Sequence, residues 1–246
     1  MSPPTLGQRL RVVTFNIRHG RGRSGVVDLG RTADTLTALG ADVVCLQEVD
    51  RHFSERSDWA DQATELAERL GMAAAYGVAL RRAAVDAGRP ARDYGNALLT
   101  RSPVRGYRVV ALPGRPRSEP RSMLIAESVN GLHVACVHLQ HDSTAARAEQ
   151  IAVIVRELPP DVPVVLAGDF NATPDAPELS VLRERFVDCW QRSGRGRGAT
   201  FPSRFPLRRI DYVMASAGLR PVAAVVVPTD TSDHRPLVVD LVVDQT

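Results

Sequence analysis

The sequence predicts an α/β protein in which strands outnumber helices and part of the sheet structure is antiparallel. Short apolar runs rich in β-branched residues recur along the chain, and segments with the apolar spacing of amphipathic helices separate several of them. Asn130-Gly131 lies between two strand-like segments, and Asn-Gly is a strong signal for a β-hairpin. With 246 residues and no linker or repeat, the chain is expected to form one domain over 8–244.

The composition is that of a globular protein with a mild positive charge. The chain is 44% hydrophobic and 24% charged, and its net charge is +3. All 31 basic residues are arginine, a bias typical of GC-rich coding, so the arginine count alone is weak evidence for nucleic-acid binding. Cys45, Cys136 and Cys189 are widely spaced, which favours free thiols over a disulfide set or a zinc site. We find no signal peptide or membrane-spanning run, and expect a cytoplasmic monomer without stable membrane insertion.

In the first half of the chain, strands are predicted at 10–17, 42–48, 93–100 and 103–111. Asp28 is expected to cap a helix whose apolar residues keep helical spacing until Gly40 ends it. Asp58 is expected to open a second amphipathic helix that runs through Leu70 and is closed by Gly71. No element is assigned to the stretch 72–92.

In the second half, the predicted hairpin pairs strands at 122–129 and 132–139. Asp142 is expected to cap a helix that ends at Leu158, and a helix is predicted from Pro177 to Arg185. The stretch 191–208 is polar and rich in Gly and Arg, so it is predicted to be irregular. Further strands are predicted at 163–171, 209–215, 221–227 and 236–243.

Polar residues stand at the ends of several predicted strands, where a buried core would not favour them. They are Asn16, Glu48, His138, Asp169 with Asn171, and Asp233 with His234. Asp211 adds a carboxylate inside an apolar strand, and a buried carboxylate requires a donor or a cation nearby. Taken singly, each residue has a structural explanation as a turn former, a surface ion pair or a core histidine. Their repetition at strand after strand favours a functional site.

The most informative stretch is Pro163–Asn171, a buried strand that changes to polar character at its end. Alternation along an extended chain places Asp169 and Asn171 on the same side, with Phe170 on the opposite side. A carboxylate and an amide side by side suit a hydrated divalent cation, or a water beside one.

These motifs occur in an order that resembles the endonuclease/exonuclease/phosphatase superfamily of metal-dependent phosphoesterases. The segments that carry the resemblance are Thr14–Ile17, Leu46–Glu48, Tyr94–Leu99, Val137–Leu139, Gly168–Asn171, Arg209–Tyr212 and Ser232–His234. The resemblance implies a four-layer α/β/β/α sandwich, with two mixed, mainly antiparallel sheets packed face to face and helices outside. The catalytic groups would collect at one rim of the sheets.

The resemblance also implies a role for each motif residue. Glu48 and Asn16 look like ligands of Mg²⁺ or Mn²⁺, and Asp233 is a further candidate ligand. Asp169 looks like the group that orients or deprotonates the attacking water, and Asn171 would hold the phosphate or that water.

The remaining motif residues include two histidines. Asp211 and His234 look like a carboxylate–imidazole pair that stabilises the transition state. His138 would contact the phosphate or give a proton to the leaving oxygen. Tyr94 and Asn96 are placed in the phosphate pocket.

Other polar residues receive no role from the sequence. Arg147 and Gln150 are equally compatible with a site and with a surface position, and His141 with a loop cap. His19, His52 and His133 lie outside the motifs and are read as structural.

The predicted activity is hydrolysis of a phosphoester, most specifically a phosphodiester, by in-line attack of a metal-activated water. Clusters of arginine favour a nucleic-acid substrate, whereas an aromatic content of 5% offers few stacking platforms. A lipid, inositol-phosphate or sugar-phosphate ester is the alternative substrate. An inactive binding module on the same scaffold is the non-enzymatic alternative. The loops determine which of these substrates is bound, and a resemblance in fold does not predict their specificity.

Overall fold

The computed structural model describes residues 9–128 and 131–244. Its strands in chain order are β1 (Arg9–Asn16), β2 (Val43–Arg51), β3 (Ala73–Arg82), β4 (Arg92–Thr100), β5 (Val104–Leu112), β6 (Arg121–Ser128), β7 (His133–His138), β8 (Val164–Asp169), β9 (Val187–Asp188), β10 (Asp211–Ala215), β11 (Leu219–Val226) and β12 (Leu237–Val243). They form two six-stranded sheets with the orders β11-β12-β1-β2-β4-β3 and β5-β6-β7-β8-β10-β9. The pairs β1–β2 and β7–β8 are parallel and the other described pairs are antiparallel.

The helices are α1 (Leu29–Leu39), α2 (Gln62–Leu70), α3 (Thr144–Glu157), α4 (Ser180–Arg183) and α5 (Cys189–Ser193). Residues of α1 and α2 pack on one face of the first sheet, and residues of α3 and α4 pack on one face of the second. A third core lies between the sheets and includes α5. The predicted four-layer sandwich is therefore confirmed.

Burial on both faces explains why the strands read as continuous apolar runs. Val12 and Cys45 belong to the core between the sheets, whereas their neighbours Val13 and Val44 belong to the core beneath α1 and α2. Because successive side chains of a strand point to opposite faces, a central strand covered on both sides needs apolar residues at every position.

Helix α1 begins and ends as predicted, but two other N-caps differ. The Asp28 side chain accepts from Arg31 N, and Gly40 closes the helix with φ 61°. Helix α2 is capped by Asp61, because Asp58 ends a preceding 3-10 turn in a left-handed conformation. Ser143, not Asp142, caps α3 by accepting from Ala146 N. Several Asp and Ser residues precede each helix, and only the backbone direction selects the one that reaches the free N–H groups.

The structure contains a strand and a helix that the sequence did not predict, and it pairs the two strands of the predicted hairpin. Strand β3 was not assigned because its alanines and glycine carry little β propensity, yet it pairs along its length with β4. The strands flanking Asn130-Gly131 pair antiparallel as β6 and β7, while Val129 and Asn130 themselves lie outside the described residues. Helix α5 begins just before the stretch predicted to be irregular and extends into it.

The helices contain no candidate for a membrane span. Among the described residues, none of them combines the length and the apolar character that crossing a bilayer requires.

Candidate active site

Three adjacent strands of the second sheet bring His138, Asp169 and Asp211 to one rim. His138 and Asp169 are the last residues of β7 and β8, and the parallel register pairs them directly. Asp211 is the first residue of β10, which runs antiparallel to β8 and pairs Asp211 with Asp169. The end of one strand therefore meets the start of its antiparallel neighbour, and three polar side chains far apart in sequence become lateral neighbours.

The first sheet contributes Asn16, the last residue of β1. The amide nitrogen of Asn16 donates to Glu48 Oε1 at 2.9 Å and to Asp169 Oδ2 at 3.1 Å. Its oxygen accepts from Arg18 N at 3.1 Å. Asn16 thus links carboxylates from both sheets through one buried amide.

Glu48 does not lie at a strand end, contrary to the sequence expectation. Strand β2 continues to Arg51, and its register with β4 shifts between Leu46 and Val49. Glu48 sits in this bulge with φ 58°, a left-handed conformation that is uncommon for a glutamate. The bulge redirects a side chain within a continuing strand, a common device beside functional sites.

His234 approaches from the loop between β11 and β12 and pairs with Asp211. Its Nδ1 lies 2.9 Å from Asp211 Oδ2, and its Nε2 lies 3.7 Å from Asp169 Oδ2. Burial lowers the pKa of His234, but the nearby Asp211 and Asp169 carboxylates outweigh it and raise that pKa to about 10. The imidazole is therefore positively charged at neutral pH.

The loop that carries His234 is held from two sides. Ser232 Oγ donates to the Asn16 carbonyl at 2.7 Å and accepts from His234 N at 3.2 Å. The ring of Phe201 lies against the His234 ring, with centroids 4.8 Å apart. The orientation of His234 is therefore set by contacts on its backbone and on its ring face.

His138 has the opposite protonation state because of Arg121. Arg121 Nη1 lies 3.2 Å from His138 Nδ1, and a guanidinium can only donate, so Nδ1 is the acceptor and the proton is on Nε2. That Nε2 lies 3.5 Å from Asp169 Oδ2. Burial, together with the charges of Arg121 and His234, holds the pKa of His138 well below its usual range. A neutral and a charged imidazole thus flank Asp169.

Asp169 lies at the centre of this arrangement. Burial and the neighbouring Asp211 charge raise the pKa of Asp169 to about 7. Its Oδ1 accepts from Asn171 N at 2.9 Å, and Asn171 has a left-handed backbone with φ 51°. Phe170 points into the core beneath α3, so Asp169 and Asn171 both reach the cleft as the alternation predicted.

These residues border an open cleft of about 570 Å³ at the rim of the two sheets. Glu48, His138, Asp169, Asn171, Asp233, His234 and Tyr94 line it, whereas Asn16 and Asp211 are buried behind it. Asn96 does not line the cleft; it is buried, and its amide donates to the Ser122 carbonyl at 2.9 Å. Of the two residues placed in the phosphate pocket, only Tyr94 therefore reaches the cleft.

The carboxylates of the site fit a divalent cation. Among residues 9–128 and 131–244, no arginine or histidine nitrogen lies within 4.0 Å of the Glu48 carboxylate, and burial raises the pKa of Glu48. Within the described residues Asp211 Oδ1 is buried without a hydrogen-bond partner, and carboxylate oxygens of Asp169 and Asp211 lie within 4.8 Å of each other. Oxygen donors in this setting suit a hard cation. Asn16 would have to present its oxygen to serve as a ligand, because it now presents its amide nitrogen.

Some residues at the site were not predicted from the sequence. Arg121 begins β6 and is 6% exposed; a charged residue at the start of an apolar strand is the same signal that identified the motif residues. Arg18 lines the cleft and lies 3.4 Å from Asp233. His19, read as structural, also lines the cleft and is buried.

Arg147 and Gln150 are buried rather than on the surface. Arg147 donates to the carbonyls of Gln140 and His141, and Gln150 accepts from Gln140 N at 2.9 Å. Both residues therefore hold the loop after β7, which places His141 beside the cleft.

Comparison with known proteins agrees with the fold. The sequence pattern of the Endonuclease/Exonuclease/phosphatase family matches residues 13–234. The uncharacterized protein YbhP of Escherichia coli (strain K12) is 33% identical over 250 residues, covering 92% of this chain and 94% of YbhP. The crystal structure of an endonuclease/exonuclease/phosphatase from Beutenbergia cavernae is 29% identical and superposes with a TM-score of 0.81, covering 96% of this chain and 72% of the other.

A more distant structure shares the fold alone. The mannosyl-6-phosphatase of Bacteroides thetaiotaomicron is 18% identical and superposes with a TM-score of 0.72, covering 95% of this chain and 99% of the other. Because the family pattern matches residues 13–234, most of its length, this chain belongs to the endonuclease/exonuclease/phosphatase family.

Proposed function

We propose that this protein is a divalent-metal-dependent phosphodiesterase that hydrolyses its substrate by in-line attack of water. Its family is one of hydrolytic phosphoesterases. The observation that carries the proposal is the position of Asp169, a buried carboxylate with a pKa of about 7, between a neutral and a charged histidine at the edge of an open cleft. A base with a pKa near the working pH is suited to proton transfer.

In this mechanism Asp169 accepts a proton from the attacking water, whose oxygen forms the new bond to phosphorus. The ester bond opposite breaks, and the His234 imidazolium gives its Nε2 proton to the leaving oxygen. Asp211 holds His234 in the charged form and in the correct orientation.

His138 acts as a hydrogen-bond donor rather than as an acid. Because Arg121 donates to its Nδ1, the neutral ring carries only the Nε2 proton. The low pKa of His138 opposes uptake of a second proton, which an acid would need in order to protonate the leaving oxygen. Of the two roles left open by the sequence, this geometry supports the phosphate contact. The guanidinium of Arg121, whose Nε is buried without a partner in the described part of the chain, adds a fixed positive charge beside it.

Glu48 and Asp233, with Asn16 as the third predicted ligand, would hold the metal ion. Bound there, Mg²⁺ or Mn²⁺ would lower the pKa of the attacking water and neutralise charge on the phosphoryl group. The chain's own contribution is to place oxygen donors beside Asp169, through the bulge at Glu48 and the bridging amide of Asn16.

A nucleic-acid substrate stays a prediction with mixed support. Arg18, Arg21, Arg56 and Arg82 line the cleft together with Arg121, and positive charge of this kind suits phosphates. However, Phe53 and Tyr94, the aromatic residues beside these arginines, are only 8% and 7% exposed. They therefore offer little face on which a base could stack.

The test is hydrolysis of bis(p-nitrophenyl) phosphate with Mg²⁺, with Mn²⁺ and with EDTA, alongside the monoester p-nitrophenyl phosphate. We expect cleavage of the diester that either metal supports and EDTA abolishes. Preference for the monoester would indicate a phosphatase, and turnover that EDTA leaves unchanged would contradict the metal-dependent mechanism. A panel of plasmid DNA, abasic-site DNA, RNA, sphingomyelin and inositol phosphates then ranks natural substrate classes. No turnover on any of them would support the inactive binding module.

A further inference from the structure

One loop beside the cleft presents apolar side chains to solvent. The tip loop, defined as residues 201–208, folds back on itself through hydrogen bonds between Phe201 and Arg208 and between Leu207 N and the Phe201 carbonyl. At its outer end Phe205 is 67% exposed and Leu207 is 74% exposed. Single apolar side chains on a surface are ordinary, but Phe205 and Leu207 stand two residues apart in one short loop and together form an apolar tip.

The tip loop is firmly attached to the catalytic segment. Ser203 N donates to the Asp233 carbonyl at 2.6 Å, Ser203 Oγ donates to the Ser232 carbonyl at 2.7 Å, and Arg235 Nε donates to the Ser203 carbonyl at 2.8 Å. Phe201, at the base of the loop, lines the cleft and contacts His234. Whatever binds the tip is therefore held at a fixed position relative to the catalytic rim.

The surroundings of the tip are strongly basic. The segment from Cys189 to Ile210 contains six arginines and no Asp or Glu, although the whole chain has a net charge of only +3. Arg209 is buried and paired with Asp188. The other five, Arg192, Arg195, Arg197, Arg204 and Arg208, are exposed, and within the described part of the chain none has a carboxylate within 4.0 Å. This surface therefore suits an anionic partner.

We propose that the tip loop docks on an anionic lipid surface and presents the cleft to the phosphodiester headgroups there. This inference rests on the proposed phosphodiesterase function and names its substrate class. Exposed apolar side chains with the exposed Arg204 and Arg208 in the same loop match an interface where hydrocarbon lies just beneath anionic headgroups. Arg204 lies over the Phe205 ring, with its guanidinium carbon 5.2 Å from the ring centroid, and Leu207, the more exposed of the two residues, has no ring on which a base could stack. A lipid therefore fits this tip better than a nucleic acid. The loop is too short to span a bilayer and would adsorb at its surface.

The experiment is sedimentation of the full chain with vesicles of equal parts phosphatidylglycerol and phosphatidylcholine, and with pure phosphatidylcholine vesicles. We expect binding to the anionic vesicles that salt weakens. The double variant Phe205→Ala/Leu207→Ala should lower the partition coefficient by at least about tenfold. Arg204→Gln/Arg208→Gln should also weaken binding and remove part of the salt dependence. Tyr107→Ala/Val109→Ala is the matched control, since these residues are 56% and 40% exposed on β5.

Each variant is also assayed on soluble bis(p-nitrophenyl) phosphate, which requires no surface. We expect the Phe205/Leu207 variant to keep this activity and to lose hydrolysis of vesicle phosphodiesters. The proposal is overturned if the wild-type chain ignores anionic vesicles, or if the control variant loses as much binding as the tip variant. It is also overturned if the tip variant loses binding to a single-stranded oligonucleotide and not to vesicles. A wild-type chain that binds vesicles without cleaving any phosphodiester would instead remove the proposed function and leave the docking surface standing.

Discussion

At the residue scale, the two histidines beside Asp169 differ in charge because their Nδ1 atoms have different partners. His234 faces a carboxylate, and His138 faces a guanidinium. An anionic acceptor favours the imidazolium, whereas a cationic donor excludes a proton from the same ring atom. The difference in charge is therefore a property of Asp211 and Arg121 as much as of the histidines.

Replacing Asp211 tests the charged histidine. In Asp211→Asn we expect kcat/KM to fall about 10²-fold, because His234 loses the charge that keeps it protonated and oriented. The pKa of His234 should fall from about 10, so the remaining activity of the variant should decline as the pH rises through neutrality while that of the parent does not. His234→Ala should lose at least as much, and the double variant little more, since groups that act as a unit are not additive. Losses that multiply would show that the two residues act independently.

Replacing Arg121 tests the neutral histidine. In Arg121→Gln we expect the pKa of His138 to rise and kcat/KM to fall at least about tenfold, because both the fixed charge and the tautomer are lost. The ¹⁵N shifts of the imidazole nitrogens report tautomer and protonation directly. Arg105→Gln, which removes an exposed arginine paired with Glu127, serves as the control. An unchanged His138 spectrum in Arg121→Gln would contradict the assignment.

Glu48→Gln tests the metal site, since it keeps the shape of the side chain and removes its charge. We expect weaker Mg²⁺ binding by isothermal titration and a parallel loss of activity, because Glu48 is a half-buried carboxylate without a cationic partner in the described structure. Glu149→Gln, on the exposed face of α3, should change neither. Equal Mg²⁺ affinity in Glu48→Gln and the parent would exclude Glu48 as a ligand.

At the element scale, the site depends on how closely β7 and β8 approach each other. Gly168 has φ 154°, and a Cβ atom there would lie 1.9 Å from the Val137 carbonyl oxygen. The two strands carry His138 and Asp169 at their ends, so their spacing sets the distance between these side chains. A side chain at residue 168 would have to separate the strands.

Gly168→Ala should therefore lower both stability and activity. We expect a loss of about 3 kcal/mol in the free energy of unfolding, as for overpacking of a close-packed interior, together with reduced kcat/KM in the fraction that stays folded. Gly106→Ala on β5 is the matched control, because a Cβ there would meet nothing within 4 Å. Denaturant unfolding of the three proteins measures the effect. If the Gly168→Ala chain were as stable as the Gly106→Ala chain, β7 and β8 could move apart at little cost in free energy, which would contradict the prediction.

At the scale of the whole molecule, a buried histidine in the turn after β1 should make the stability of the fold sensitive to acid. His19 is 8% exposed, and its Nδ1 has no hydrogen-bond partner among the residues that the structure describes. Burial and nearby arginines lower its pKa to about 4. The unfolded chain, with a histidine pKa near 6.5, binds a proton more readily than the native chain between these two values. Stability contributed by neutral His19 is thus complete above about pH 6.5 and is lost as the pH falls towards 4.

His19→Asn should remove this part of the acid sensitivity. Asparagine tolerates the left-handed backbone at this residue, where φ is 45°. We expect the Tm of the variant to fall less than that of the parent between about pH 7 and pH 5. His52→Asn is the control, since His52 is also left-handed at φ 52° but its Nδ1 lies 2.9 Å from the Trp59 carbonyl. Parallel Tm profiles for parent and His19→Asn would contradict the prediction.

The sequence by itself determined the features that short-range chemistry encodes. The apolar runs predicted most strands, Asp28 and Gly40 delimited α1, and polar residues at apolar strand ends marked Asn16, His138 and Asp169. The ordered motifs predicted the family and the four-layer sandwich, both of which are confirmed. Apart from the order of the motifs, each of these signals lies within a few neighbouring residues.

Only the tertiary structure decided which side chains meet, because strand register and loop docking depend on contacts between distant segments. Register across β8 and β10 places Asp211 opposite Asp169, and a bulge that depends on pairing with β4 turns Glu48 towards the rim. The contact of Arg121 with His138 requires β6 to lie beside β7. The tip loop lies in a stretch that the sequence predicted only to be irregular. The exposure of Phe205 and Leu207, and the hydrogen bonds that hold their loop to the His234 segment, are visible only in the folded chain. Local propensity carries no information about such pairings, since their free energy comes from groups that folding alone brings together.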